Sequence, residues 1–229
     1  MNNARLCVAT ACIAFMASAV SLAWAADTAS PTSTMPLQPQ ANTAKFIEIA
    51  ATAETLRQLR GGGSTLYLRH GPTNNAIADR VPTVDLNDCS TQRPLTEDGK
   101  QLMAHVGQSM RKAGILIGEF KVSPMCRARQ SATAAFPKRT AGVDPLLMYV
   151  ANFTDAEKAP IIANTGWLLA SPVAGGLNRL VLAHAPNLMD LMGYFPKEGT
   201  LVIFRPKGEQ AGFDYVASVV PAAWAGLLK

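Results

Sequence analysis

Histidine and cysteine are scarce in this chain of 229 residues, which holds three of the first and four of the second. Two of the cysteines, Cys7 and Cys12, fall in an apolar N-terminal run, so the remainder carries only Cys89 and Cys126. A multiply bridged small scaffold is thereby excluded. The histidines, His70, His105 and His184, lack the spacing of a zinc motif, and no metal is expected. Charge is also modest. The formal net charge of +5 comes from scattered residues without a Lys/Arg tract, and aromatics make up only 7%, so nucleic acid is not an expected partner. No apolar run long enough to span a membrane follows residue 25.

The first 25 residues read as a secretory signal peptide. Arg5 precedes a small and apolar run, Leu6 to Val20, which closes on the pattern Ala23, Trp24, Ala25. Cleavage there would leave a mature chain of net charge +4, through the loss of Arg5. Residues 26–43, rich in Pro, Ser, Thr and Gln, cannot build a core and read as a disordered leader. Residues 44–229 have the length of one domain. The expected location is periplasmic or secreted, with no membrane association after cleavage. In such a compartment a Cys89–Cys126 bridge would close a loop of about 38 residues and stabilise by about 4 kcal/mol. Two buried free thiols are the alternative.

Strand and helix patterns alternate along the domain. Residues 45–59 carry apolar side chains at helical spacing (Phe46, Ile49, Ala53, Leu56) and predict a helix ending at Gly61. Strands are expected at 65–68, 120–122, 143–147, 180–182, 201–204 and 215–219. Helices are expected from the caps Thr96 and Ser123, from Asp155 with a break at Pro160, and from Pro186. The pattern predicts an α/β fold, a doubly wound three-layer sandwich around a mainly parallel sheet, with a C-terminal hairpin at one edge. Residues 74–94, long and polar, predict a loop over the site.

The chemistry-bearing residues fall at equivalent places. Arg69 and His70 end one strand, Arg127 opens the helix after a second, and His184 ends a third. In an open parallel sheet such junctions share the carboxyl edge, where ligands bind. Arginines grip phosphate oxygens with paired hydrogen bonds, and a neutral imidazole beside them can accept a phosphoryl group. Thiolate chemistry on phosphate is excluded, because the arginine position of C-x5-R holds Leu95 counted from Cys89 and Ala132 from Cys126.

The stretches LYLRHGPT (66–73), SPMCRARQSA (123–132) and LVLAHAPNL (180–188), in that order, resemble the histidine phosphatase (phosphoglycerate mutase-like) superfamily, over about Leu56 to Trp224. The resemblance implies His70 as the phosphohistidine nucleophile, a phosphate pocket of Arg69, Arg127 and His184, and no cofactor. Together with the signal peptide it suggests a small exported branch and a phosphomonoesterase acting on a small phosphoester. A phosphomutase and a phospho-ligand binding protein without turnover are the alternatives. Where relatives often carry an acidic residue to protonate the leaving oxygen, this chain has Tyr149. Asp155 is the first replacement by proximity, ahead of Glu157, Asp144 and Asp88. His105 and Arg129 are expected to be structural.

Overall fold

The computed structural model describes residues 45–82 and 84–229, so the expected signal peptide and leader lie outside the described residues. Six strands form one sheet: β1 (Thr65–Arg69), β2 (Ile117–Val122), β3 (Gly142–Val143), β4 (Asn178–Ala183), β5 (Leu201–Pro206) and β6 (Phe213–Val219). Their order across the sheet is β3-β2-β4-β1-β5-β6. The first four run parallel, while β5 lies antiparallel to β1 and forms an antiparallel pair with β6. The mainly parallel sheet with an edge hairpin is thus as expected.

Both faces of the sheet are covered by helices, which are α1 (Ala53–Leu59), α2 (Glu97–Lys112), α3 (Cys126–Ala135), α4 (Asp155–Ala170), α5 (Ala185–Met192) and α6 (Trp224–Leu227). Alternate strand residues point to opposite faces. Leu66, Leu68, Leu180 and Leu182 therefore pack with Met103, Val106 and Met110 of α2 and Ala128 and Ala132 of α3. On the other face Tyr67, Val181 and Ala183 meet Leu168 and Leu169 of α4 and Leu188 of α5. A strand buried on both sides cannot alternate with polar residues, and all six positions of β4 are buried.

Four local expectations change. Residues 45–52 are not helical: Phe46 stacks on Tyr194 with ring centroids 4.2 Å apart, and the chain runs extended to Thr52, which caps α1 through a reciprocal bond with Thr55. Here Ala51 N–H donates to the Ser218 carbonyl and Ser218 N–H to that of Ile49, alongside β6. The strand expected at 143–147 shrinks to two residues, because Asp144 and Pro145 start a 3-10 turn instead. Helix α4 runs unbroken through Pro160. Helix α3 begins at Cys126 rather than beside Ser123, whose hydroxyl is used elsewhere.

Cys89 and Cys126 are joined in a disulfide. The bond ties the loop of residues 74–94 to the first residue of α3, and the same junction is held by Cys126 N–H donating to the Gln92 side chain (2.8 Å) and Arg129 donating to the Leu86 carbonyl (2.7 Å). The role expected for Arg129 is thus a specific one, holding the loop.

Helices α2 and α3 approach closely at Gly107, where a Cβ would stand 2.0 Å from the Ala135 carbonyl oxygen. Backbone on both sides leaves no room for repacking. Gly107→Ala is expected to lower unfolding free energy by about 2–3 kcal/mol, measured by urea denaturation, and an unchanged midpoint would contradict the contact.

Candidate active site

Strand β1 delivers Arg69 and His70 to the carboxyl edge of the sheet, and the chain then turns against the start of α2. The approach is tight: a Cβ on Gly71 would lie 2.7 Å from the Gly99 carbonyl oxygen, and one on Gly99 2.3 Å from that of Pro72. Only glycine at both positions lets the chain leave the strand here, which is the physical reason for Arg-His-Gly at this bend. His70 N–H donates to the Ala183 carbonyl at 3.1 Å, so the end of β1 is locked to the end of β4. His184 follows Ala183 directly and opens α5.

The two imidazoles meet edge to face with centroids 5.2 Å apart, and both are essentially buried. The bond that His70 makes sets its tautomer. His70 Nδ1 lies 2.8 Å from the Gly71 carbonyl oxygen, which can only accept, so Nδ1 carries the hydrogen and Nε2 keeps a free lone pair. Ser123 Oγ accepts from Met125 N–H and lies 2.7 Å from His184 Nε2. Nδ1 of His184 is a buried atom without a hydrogen-bond partner among the described residues. The Tyr67 hydroxyl donates to the His184 carbonyl (2.7 Å) and accepts from its N–H (3.1 Å), fixing the backbone at this point. Burial pushes the Tyr67 hydroxyl upward, so it stays a neutral donor.

Arg127, fully buried at the start of α3, donates from Nη1 to Asp79 Oδ1 at 2.9 Å. Its guanidinium lies over the Tyr149 ring, 4.8 Å from the centroid, and that ring also meets His184 at 5.5 Å. Arg69 donates to the Pro196 carbonyl at 2.5 Å, lies 3.7 Å from Glu198 and stacks over Phe195. Nε of Arg69, Nε of Arg93 and both Nε and Nη2 of Arg127 are buried with no hydrogen-bond partner among the described residues. Buried donors of this kind are costly unless an acceptor meets them, and a tetrahedral oxyanion is the acceptor that suits several guanidiniums at once.

Arg69, His70, Arg127 and His184 are thus brought together; Asp155 is not. It lies exposed, on a surface depression with Lys158 and Asp190. The other carboxylates considered from sequence serve local structure, and of these Glu157 also lines a cavity with Asp79 and Tyr149. Glu157 accepts from the Thr154 N–H and hydroxyl, Asp144 from Leu146 N–H and Asn164, and Asp88 from the Ser90 N–H and hydroxyl. His105 is exposed on α2, outside the site.

Two residues that the sequence reading missed take part. Asp79, in the loop, holds Arg127 and also accepts from Arg93 N–H at 2.8 Å. Arg93 adds a third positive charge that acts on both histidines. Neither lies at a strand end, so the rule that found the other four could not reach them; an Arg just before Pro94 and the α2 cap was the available signal.

No family model and no curated protein sequence matches the chain. Solved structures to which it is similar include the protein histidine phosphatase SixA complexed with tungstate, at 20% identity and TM-score 0.48, covering 69% of this chain and 97% of that one. A second is a phosphoserine phosphatase from Entamoeba histolytica in complex with phosphoserine, at 10% identity and TM-score 0.48, covering 69% and 97%. A third is a mycobacterial glucosyl-3-phosphoglycerate phosphatase with VO3, at 13% identity and TM-score 0.44, covering 68% and 98%. All three of these proteins are phosphatases by name.

Burial first, then Arg127, holds the pKa of each imidazole well below its ordinary value. Both rings are therefore neutral in the folded chain across the neutral range. As pH falls through about 6.5, the unfolded chain takes up protons that the folded one refuses, so stability drops with falling pH by about 1.4 kcal/mol per unit for each ring. His184→Asn is expected to shed one such contribution, read as a shallower slope of unfolding free energy between pH 6.5 and 5.

Proposed function

We propose that this chain is a phosphomonoesterase working through a phosphohistidine on His70. The observation that carries the reading is the pair of buried neutral imidazoles beside guanidiniums with unanswered donors. The Nε2 lone pair of His70 attacks phosphorus in line, the P–O bond to the leaving group breaks, and its electron pair departs on that oxygen. Arg69, Arg93 and Arg127 hold the non-bridging oxygens, and His184 donates from Nδ1 to one of them as charge shifts in the transition state. Water then attacks the phosphohistidine, the P–N bond breaks, and phosphate leaves with His70 restored. Asp79, in contact with Arg127 and Arg93, is the carboxylate suited to take the proton of that water, while Asp155, expected to protonate the leaving oxygen, lies on another surface.

We also propose that residues 44–229 form the working domain and act in an oxidising compartment, periplasmic or outside the cell, after loss of a signal peptide. The signal-like N-terminus and the disulfide support this reading. A small phosphoester rather than nucleic acid is the expected substrate, and retention of a phosphoryl group between central metabolites, as a mutase needs, fits poorly with export.

His70→Ala is expected to abolish phosphate release and the acid-labile, base-stable phosphoprotein trapped in acid quench; full activity would reject the reading. Arg127→Ala is expected to lower kcat/KM by about 100-fold or more, and an unaltered value would remove it from the site. A protein that only binds phospho-ligands would hold vanadate yet release no phosphate from any ester.

A further inference from the structure

A cavity of about 270 Å³ opens beside the phosphate site, and its lining differs in kind. Asp79 and Tyr149 belong to both, so a group leaving phosphorus on that side passes directly into it. Its walls are largely apolar: Val81, Pro82 and Val84 come from the loop, Met125 from the start of α3, and Met148 and Phe153 from the segment before α4. A dry apolar cavity of about 150 Å³ is enough to take up benzene, so this one accommodates a ring and its substituents. The charges that reach it are the carboxylates of Asp79 and Glu157, both already engaged in local bonds. A further anionic group on the substrate would meet carboxylates there rather than cations.

Resting on the phosphatase reading above, we propose that the cavity is the leaving-group subsite and that it takes an aromatic ring, neutral or cationic, so that the substrate is an aryl phosphomonoester. Chemistry at the oxygen points the same way. Asp155 lies on another surface, and the two carboxylates that line the cavity, Asp79 and Glu157, each already accept two hydrogen bonds on one oxygen, so a leaving group that needs no proton suits the site best. A phenol, with a pKa of about 10, departs as its anion far more readily than an aliphatic alcohol. An apolar wall and an undemanding leaving group are two independent features that fit one substrate class. Tyr149, with its ring turned to both Arg127 and His184, forms the border between the anion-binding half and the ring-binding half.

Aryl phosphates are intrinsically more reactive than alkyl ones, so occupancy of the cavity is best read by binding of non-hydrolysable analogues. Benzylphosphonate is expected to bind the mature protein about tenfold or more tightly than methylphosphonate, the scale of discrimination an apolar pocket reaches. A benzylphosphonate carrying a para-carboxylate is expected to lose that advantage. Phe153→Asp is expected to collapse the benzyl-to-methyl ratio, and Val84→Asp provides a second variant on a different wall. Equal affinities for the two phosphonates, or a ratio untouched by both variants, would overturn the proposal. Turnover is followed separately with phenyl phosphate and glycerol phosphate, and phenyl phosphate is expected to be preferred. Selective phosphonate binding without phosphate release from either ester would defeat the phosphatase reading while leaving the subsite standing. Release from both esters without phosphonate selectivity would do the reverse.

Discussion

Like charges held together out of water are the constraint on which this molecule is organised. Three guanidinium groups act on two buried imidazoles, and a single carboxylate, Asp79, bonds directly to the most deeply buried of the three. Desolvating a cation is expensive unless each hydrogen finds an acceptor. The fold meets part of that demand with neutral groups: the Pro196 carbonyl under Arg69, and the ring faces of Phe195 and Tyr149 under Arg69 and Arg127. Among the described residues the rest is unmet. Those spare donors suit a multiply charged oxyanion, and burial, with the same positive field behind it, keeps the imidazoles neutral.

Such a pocket needs rigid walls, and these come from strand ends on one side and a fastened loop on the other. The end of β1 is bonded to the end of β4, so His70 and His184 are held in register by sheet hydrogen bonds. The loop that carries Asp79 and Arg93 has little regular structure of its own and is fixed by the disulfide, by Gln92 and by Arg129. Because Cys126 immediately precedes Arg127, one covalent bond restrains both the buried arginine and the loop that supplies its partner.

This division explains what could be read in the chain beforehand. Leu66–Leu68 and Leu180–Leu182 are apolar runs that stop abruptly, and any parallel sheet brings their ends to one edge. Arg69, His70, Arg127 and His184 were legible for that reason, as was the layered fold. Asp79 and Arg93 were not, since their placement depends on tertiary fastening within a polar stretch of no periodicity. Asp155 misled because closeness along the chain to Tyr149 is not closeness in space once Thr154 caps a helix and turns the chain. Residues 45–52 misled differently: Phe46 and Ile49 have helical spacing, but Tyr194 after α5 and Tyr215 on β6 offer Phe46 a better surface than a lone helix could.

That extended segment does something more for the molecule. A sheet ends in two rows of unpaired amides and carbonyls, which a second copy can extend by joining edge to edge. At one end β3 offers only two residues, too short a template for a stranger to grip. At the other, residues 49–51 already occupy the main-chain groups of Ser218 on β6. The sheet is thus shortened as a template at both borders, by the brevity of β3 at one and by the bridge at Ser218 at the other.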